Sequence, residues 1–229
     1  ALRKGEEVFR LEVRAPGMSE RTTMTEQLHT GITAIDILLP IAKGQRQLIV
    51  GPISSGKTTF VERAVAHQRD TSAVCIYTFI GKPRAYVDDL VSKIYSETGN
   101  KNTIALVTFS DEPTPMIYLA PSVSLSLAEH FSRKGKDVLL ILDDLGTHAK
   151  YLRETALLSG RIPGRESYPG DLFYQHARLL ERAGFFNKQA GGGSLTILPV
   201  LETNIEDITS LVSTNLMAAT DGHLFFSSA

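Results

Sequence analysis

Leu48-Ile-Val-Gly-Pro-Ile-Ser-Ser-Gly-Lys-Thr-Thr59 is the stretch of sequence that decides the predicted fold. Its first three residues are apolar and predict a buried strand. Residues Gly51–Thr58 match G-x-x-x-x-G-K-[ST], the pattern of a phosphate-binding loop. A helical pattern follows, with an apolar face formed by Phe60, Val61, Ala64 and Val65. A strand, a glycine-rich loop and a helix in this order are the context that the pattern requires.

The loop predicts a site for a nucleoside triphosphate with Mg²⁺, because the first turn of a helix presents N–H groups and a positive dipole end to anions. Glycine lets the backbone approach the phosphates closely. Lys57 would place its ammonium on the β- and γ-phosphates, and Thr58 would offer its hydroxyl to Mg²⁺. The residues that we assign to nucleotide binding are Gly51, Ser54, Ser55, Gly56, Lys57, Thr58 and Thr59.

Length and composition are those of one sizeable domain, or one domain with an extension. The chain has 229 residues, 42% of them hydrophobic, and a formal net charge of −1. This near-neutral balance argues against a broad nucleic-acid-binding surface. The single cysteine, Cys75, lies in an apolar run and is expected to be a buried strand thiol. The sequence has no long apolar span, so we expect a soluble chain that reaches a membrane only through partners.

Strand-like and helix-like segments alternate along the chain. The apolar runs are Gln47–Val50, Val74–Phe79, Ile104–Phe109, Val138–Leu142, Leu195–Leu201 and His223–Phe226. The amphipathic segments are Thr59–His67, Ala85–Tyr95, Val123–Phe131, His148–Leu158 and Leu172–Ala183. This alternation predicts an α/β fold with a mostly parallel, twisted sheet covered by helices on both faces. Unbroken apolar runs are typical of strands buried on both faces.

A second nucleotide signal is Asp137-Val-Leu-Leu-Ile-Leu-Asp143-Asp144, an apolar strand that ends in two carboxylates. Open α/β sheets bind ligands at the carboxyl ends of their strands. Beside a phosphate loop, an aspartate at that position holds Mg²⁺ or its water. We therefore assign Mg²⁺ to Thr58 and Asp143, and a structural role to Asp144.

From about Arg14 onward the chain resembles the alpha-subunit family of the rotary, proton-translocating (F-type) ATP synthases. The blocks that carry the resemblance are Thr30–Asp36, Leu39–Arg46, Tyr118–Pro121, Pro163–Asp171, Arg178–Arg182, Gly191–Thr203, Thr214–Asn215 and Thr220–Gly222. Such long blocks are far more specific than one phosphate loop. The catalytic beta subunits are a poorer match, because they lack the sequence motifs of Pro163–Glu166 and Arg178–Arg182.

The resemblance implies a RecA-like nucleotide-binding domain over residues 28–229. Residues 1–27 are then a lead-in from an N-terminal β-barrel, and we expect that barrel and the C-terminal helical domain to be missing from this sequence. It also implies partners: beta subunits in a hetero-hexameric ring, and a central shaft subunit. The complex synthesises ATP by proton transport, and it is peripheral on an energy-transducing membrane. The complex lies on the cytoplasmic face of a bacterial membrane, or on the inner side of the membrane in a mitochondrion or plastid.

In that family, alpha sites hold Mg-ATP or ADP without turning it over. We therefore assign no catalytic residue, and we expect the isolated chain to hydrolyse little or no ATP. Two alternatives stay open at this point. One is an autonomous P-loop ATPase motor of the secretion or ring-helicase kind. The other is a degenerate structural subunit that binds no nucleotide.

The chain departs from the family's pattern at Lys82, where catalytic beta subunits carry a water-orienting glutamate and alpha subunits usually carry glutamine. A charged lysine cannot accept a proton from water. Lys82 either points to solvent or, with Arg84, adds positive charge near the γ-phosphate. A second departure is Pro52-Ile53-Ser54, where alpha subunits usually carry charged or amide residues. It leaves the backbone cradle intact.

Two further groups of residues are less specific. Arg161 and Arg165 flank Pro163-Gly164 and could reach a neighbouring subunit, although intrachain ion pairs are the simpler interpretation. The six histidines are scattered without the spacing of zinc ligands, so we expect them at the surface or at helix ends.

Overall fold

The computed structural model describes residues 10–98, 102–203 and 207–227. Its strands are β1 (Gln27–Leu28), β2 (Ile41–Ala42), β3 (Gln47–Gly51), β4 (Val74–Lys82), β5 (Thr103–Phe109), β6 (Asp137–Asp143), β7 (Gly184–Phe185), β8 (Ser194–Glu202) and β9 (Gly222–Phe225). Its α-helices are α1 (Thr33–Leu38), α2 (Lys57–His67), α3 (Arg84–Thr98), α4 (Thr114–Arg133), α5 (Leu145–Leu158), α6 (Leu172–Leu180) and α7 (Leu211–Ala219). Single 3₁₀ turns lie at Met18–Glu20, Gln68–Asp70, Arg165–Ser167 and Lys188–Ala190.

The main sheet has the strand order β5-β4-β6-β8-β3-β9, and every neighbouring pair along this order is parallel. Strand β7 adds an antiparallel pairing at the start of β8, and β1 and β2 form a separate antiparallel pair. Parallel neighbours need crossover connections, which helices such as α2 and α4 supply. The predicted mostly parallel α/β sheet is confirmed, and the six apolar runs correspond to β3, β4, β5, β6, β8 and β9.

Helices cover both faces of this sheet. Leu140 packs into a buried cluster with residues of α4, α5, α6 and α7. Its neighbours Leu139 and Ile141 point to the other face and pack with α2 and α3. Because successive side chains of a strand point to opposite faces, a strand covered on both sides has no polar alternation. Cys75 is buried in β4, as predicted, and burial raises the pKa of its thiol to about 12.

The helix predictions were correct in position and less accurate in length. Helix α4 begins at Thr114, nine residues before the predicted segment, and holds Pro121 inside it. A proline inside a helix removes one backbone hydrogen bond, so the sequence pattern around Pro121 is a weak indicator of helix. Helix α6 ends at Leu180 instead of Ala183, because the chain then enters β7 at Gly184. Within the described ranges, no helix is both long and apolar enough to span a membrane.

The described part of the lead-in lies against the domain. The hydroxyl of Ser126 in α4 donates to the carbonyl of Arg10 at 2.9 Å. The guanidinium of Arg182 donates to the carbonyl of Leu11 at 3.1 Å. Farther along, Arg21 donates to the carbonyl of Ala183 at 2.6 Å. The lead-in is therefore attached to the side of the domain formed by α4 and the segment after α6.

Candidate functional site: a phosphate loop with a lysine between two aspartates

Four parallel strands end at one edge of the sheet around a cavity of about 580 Å³. Their last residues are Gly51 of β3, Lys82 of β4, Asp143 of β6 and Glu202 of β8. The cavity is lined by Ile53, Ser54, Ser55, Gly56, Lys57, Thr58, Thr59, Gly81, Lys82, Pro83, Tyr86, Asp143, Asp144, Thr147, Val200 and Glu202. The structure thus brings the assigned loop residues from Ser54 to Thr59 together with Asp143 and Lys82.

The loop between β3 and α2 depends on backbone that few side chains permit. Gly56 has φ +96°, in the left-handed region that favours glycine, and Ser54 has φ +61°. Gly51 does not line the cavity, but a Cβ there would lie 2.3 Å from the carbonyl oxygen of Phe226. Helix α2 then begins at Lys57, so its first N–H groups have no carbonyl one turn earlier in the helix to bind.

Lys57 folds back over its own loop. Its ammonium donates to the carbonyl of Gly51 at 2.8 Å and to that of Pro52 at 2.5 Å. The residue is buried, and burial lowers the pKa of its ammonium. Nearby Glu202 and Asp143 oppose that shift. The loop thereby holds a poorly hydrated cation beside the cavity, and its hydrogen-bond partners within the described ranges are neutral carbonyls.

The hydroxyls of the loop have few partners. Ser55 Oγ is buried and has no hydrogen-bond partner among the described residues. Thr58 Oγ1 lies 3.4 Å from the hydroxyl of Tyr86, and that hydroxyl lies 3.4 Å from Oδ2 of Asp143. A buried polar atom without a partner is costly, so Ser55 indicates a place where a ligand atom or water completes the site.

Asp143 is buried at the end of β6, and both of its oxygens have neighbours. Oδ2 accepts a hydrogen bond from the hydroxyl of Tyr77 at 3.0 Å. Oδ1 lies 2.8 Å from the ammonium of Lys82. Burial raises the pKa of Asp143, and the adjacent ammonium opposes that rise. Burial likewise raises the pKa of Tyr77 well above its ordinary value, so its hydroxyl remains a donor.

Asp144 begins α5. Its Oδ1 accepts from the backbone N–H of Thr147 at 2.6 Å, and its Oδ2 accepts from the hydroxyl of Thr147 at 3.0 Å. This is the usual cap of a helix N-terminus. Asp144 also lies 3.0 Å from the ammonium of Lys82. The structural role expected of Asp144 is confirmed, with a charged contact in addition.

Lys82 does not point to solvent, so that interpretation is wrong. Only 14% of its side chain is exposed, and its ammonium lies between Asp143 and Asp144. Burial by itself would lower the pKa of Lys82, but the two carboxylates outweigh it and raise that pKa above its ordinary value. Gly81, with φ +60°, and a bulge in the pairing of β4 with β5 precede Lys82. A bulge changes the direction of the following side chain.

The other predicted arginines lie outside this cavity. Arg84 is paired with Asp111 at 3.1 Å and stacks on the ring of Phe109, so the structure does not bring it to the loop. Arg161 pairs with Asp171 at 3.0 Å, and Arg165 lies 3.5 Å from Glu166. Both have exposed side chains. Both arginines therefore form the intrachain ion pairs that the sequence analysis gave as the simpler interpretation.

Sequence reasoning missed three polar side chains of the lining and misplaced two histidines. Tyr86, Thr147 and Glu202 line the cavity without having been assigned to it. The rule that ligands bind at strand carboxyl ends could have found Glu202. His148 and His176 are fully buried instead of lying at the surface, with Nδ1 of the first 3.2 Å from Nε2 of the second. Their helices, α5 and α6, pack on the same face of the sheet.

Comparison with known proteins identifies the family. Residues 31–229 match the model of the ATP synthase alpha/beta family, nucleotide-binding domain. Over 217 residues, 95% of this chain, it is 45% identical to "ATP synthase subunit alpha 2" of Syntrophotalea carbinolica, of which the match covers 42%. It is 44% identical to "ATP synthase subunit alpha" of Clostridium botulinum over 95% of this chain and 43% of that protein.

The corresponding figures for "ATP synthase subunit alpha" of Dictyoglomus turgidum are 43% identity, 94% of this chain and 42% of that protein. The chain thus spans less than half the length of these curated relatives. The parallel sheet, the phosphate loop and its cavity are consistent with the RecA-like P-loop fold expected from the sequence. The chain therefore belongs to the ATP synthase alpha/beta family, and it comprises that family's nucleotide-binding domain.

Proposed function

We propose that this chain is the nucleotide-holding domain of an ATP synthase alpha subunit. It binds ATP or ADP at the phosphate loop and turns it over slowly or not at all. The observation that carries the proposal is the convergence of the loop, Lys82, Asp143 and Glu202 at the carboxyl ends of four adjacent parallel strands. Ligands bind at this edge of open α/β sheets.

Phosphate binding follows from groups that have no better partner among the residues that the structure describes. The N–H groups at the start of α2, the hydroxyl of Ser55 and the ammonium of Lys57 all lie at the cavity. Lys57 binds two neutral carbonyls, and a phosphate oxygen gives it a stronger, charge-assisted hydrogen bond. Lys57 can bind a phosphate through its third N–H, or by exchanging a loop carbonyl for a phosphate oxygen.

The residues present suit Mg²⁺ in the manner of a phosphate-loop site. No group of three or more His, Cys, Asp or Glu side chains in the described ranges is arranged to hold a metal. Mg²⁺ in nucleotide sites needs only one or two protein oxygens, because phosphates and waters complete its coordination. We propose that the hydroxyl of Thr58 and the carboxylate of Asp143 supply them. When bound, the ion would neutralise phosphate charge.

Slow turnover follows from the charges around the cavity. Hydrolysis needs a carboxylate or amide that orients the attacking water. Asp143 and Asp144 are engaged by Lys82, and Asp144 also caps α5. A carboxylate held by an ammonium is a poor base, because protonating it would break the ion pair. The two aspartates that Lys82 engages are therefore poorly suited to activate a water, which favours binding of a nucleotide over its cleavage.

The setting of this domain, by analogy with the relatives' names, is an ATP synthase. We propose that it alternates with catalytic beta subunits around a central shaft, and that the complex is peripheral on an energy-transducing membrane and coupled to proton transport. The exposed segment with Arg161 and Arg165 is a proposed contact with a neighbouring subunit. No role in nucleic-acid binding is proposed.

Calorimetry and phosphate release by the purified chain test this function together. The native chain is expected to bind ATP in Mg²⁺ buffer and to release phosphate at the background rate. Lys57→Ala should weaken binding at least about tenfold, a loss of about 1.4 kcal/mol. Lys134→Ala, which removes an exposed lysine beyond the end of α4, should bind like the native chain.

Two other outcomes would assign a different function. Steady phosphate release that disappears in Lys57→Ala would identify an autonomous ATPase motor. Absence of both binding heat and a rise in melting temperature with ATP would identify a structural subunit, because a ligand that binds only the folded state must raise that temperature.

A further inference from the structure

Lys82 holds its ammonium against Asp143, the carboxylate that we assign to Mg²⁺. Its ammonium lies 2.8 Å from Oδ1 of Asp143 and 3.0 Å from Oδ2 of Asp144. The other oxygen of Asp143 already accepts a hydrogen bond from Tyr77 at 3.0 Å, with the hydroxyl of Tyr86 3.4 Å away. A divalent ion at this carboxylate would be repelled by the ammonium of Lys82 unless the ion displaced it.

Displacing Lys82 is unfavourable because its ammonium is fixed from several sides. The side chain is largely buried, and its ammonium also lies 5.5 Å from the centre of the Tyr86 ring, a cation–π contact. The backbone just before Lys82 is also confined, since a Cβ on Gly81 would lie 2.7 Å from the Tyr151 ring. A buried charge that loses its partner pays a large desolvation cost.

The charges that line the cavity indicate what Lys82 does for a bound anion. The lining includes two ammonium groups, Lys57 and Lys82, and three carboxylates, Asp143, Asp144 and Glu202. Without Lys82, a polyphosphate would face an excess of two negative charges unless a divalent ion entered with it. With Lys82, the charge of one of the two aspartates is offset before any ligand arrives, and the excess falls to one negative charge.

We propose that Lys82 is a built-in counter-cation, so that this chain binds a nucleoside triphosphate with little dependence on divalent metal ions. The inference deepens the proposed function and rests on the same site. It changes the role of Mg²⁺ at Thr58 and Asp143 from a requirement to a minor contribution. Lys82 is thereby the residue that determines the metal dependence of the site.

The test is the affinity of the full chain for ATP, measured by calorimetry in excess Mg²⁺ and again in EDTA. The native chain should show dissociation constants that differ by less than about threefold between the two buffers, under 1 kcal/mol. Lys82→Gln keeps a polar side chain of similar length without the charge. Its dissociation constant for ATP should be about tenfold or more higher in EDTA than in Mg²⁺. Lys134→Gln is the matched control and should behave like the native chain.

A measurement without nucleotide separates this inference from the proposed function. Mg²⁺ alone should raise the melting temperature of Lys82→Gln, because the ion then binds the unpaired aspartates of the folded state, and should leave that of the native chain unchanged. If no variant binds ATP, the proposed function fails, and the inference about nucleotide binding fails with it.

The inference alone is overturned if the native chain binds ATP about tenfold or more tightly in Mg²⁺ than in EDTA. This criterion uses only the native chain, so it applies even if Lys82→Gln does not fold. The inference is equally overturned if Mg²⁺ without nucleotide stabilises the native chain as strongly as it stabilises Lys82→Gln.

Discussion

Arg182 and Glu129 form an ion pair in which both partners are buried, with Nε of Arg182 2.6 Å from Oε1 of Glu129. Arg182 follows α6, and Glu129 lies in α4. The same guanidinium donates to the hydroxyl of Ser126 at 3.1 Å. The pair therefore joins two elements that pack on the same face of the sheet.

Replacing Arg182 should be strongly destabilising. Arg182→Met leaves the buried carboxylate of Glu129 without its buried cation, with only the exposed Arg133 at 3.8 Å, and such a change costs about 3–5 kcal/mol. Arg133→Met is a matched control, because Arg133 lies 3.8 Å from the other oxygen of Glu129 but has an exposed side chain. It should cost at most about 1 kcal/mol. Urea denaturation of both variants gives the two free energies, and equal losses would contradict the prediction.

Gly51→Ala should disrupt the phosphate loop. Its new Cβ would lie 2.3 Å from the carbonyl oxygen of Phe226 and 2.9 Å from Oγ of Ser55, so the backbone must shift. We expect a loss of about 2 kcal/mol or more in unfolding free energy, in the range of strong backbone effects. Gly170→Ala is the control, because a Cβ there meets no atom within 4 Å. A thermal melt in which both variants match the native chain would refute this.

The buried histidines predict a loss of stability in mild acid. Burial lowers the pKa of His148 to about 4 and that of His176 to about 3, whereas histidine in an unfolded chain titrates near 6.5. As pH falls below about 6.5, the unfolded chain takes up more protons than the folded chain, so the unfolding free energy decreases. The decrease is at most about 1.4 kcal/mol per pH unit for each histidine.

The groups that face these imidazoles only partly limit the decrease in unfolding free energy at low pH. The carbonyl of Tyr118 lies 3.0 Å from Nε2 of His148, and the carboxylate of Asp144 is near enough to favour the charged form. Urea titrations at pH 7.5 and pH 5 measure the difference. His148→Gln/His176→Gln should reduce it, and His29→Gln, at an exposed position, should keep it. An unchanged difference in the double variant would assign the acid sensitivity to other groups.

Asp221 is predicted to hold the start of β9 against the start of β3. Its Oδ2 accepts from the backbone N–H of Arg46 at 2.9 Å and from Nε of the same residue at 3.0 Å. Asp221→Ala removes these charge-assisted bonds and should cost about 1.5–3 kcal/mol. Asp70→Ala, which removes an exposed carboxylate paired with Arg69, should cost at most about 1 kcal/mol. Guanidinium denaturation measures both losses.

Sequence patterns predicted the features of this chain that depend on local order. The loop Gly51–Thr58 lies between a strand and a helix, and Asp143 ends its strand, because periodicity and glycine spacing encode those features within a few residues. The direction of Lys82 was not predictable in the same way. It depends on a positive φ at Gly81 and on a bulge against β5, and both arise from pairing between separate strands.

Contacts between distant segments account for the remaining errors. The His148–His176 contact joins residues of two helices, and only their packing brings the rings together. Arg84 was placed near the phosphates because of its position two residues after Lys82. In the structure it turns to Asp111, beyond the end of the neighbouring strand β5.

The attachment of the lead-in has a consequence for how freely that segment can change in sequence. Ser126 and Arg182 bind the main-chain carbonyls of residues 10 and 11, so they recognise the peptide backbone and not the side chains it carries. Every amino acid offers the same carbonyl. Substitutions at residues 10 and 11 are thus compatible with docking, whereas losing the hydroxyl of Ser126 or the guanidinium of Arg182 would remove one of the contacts that hold these two residues.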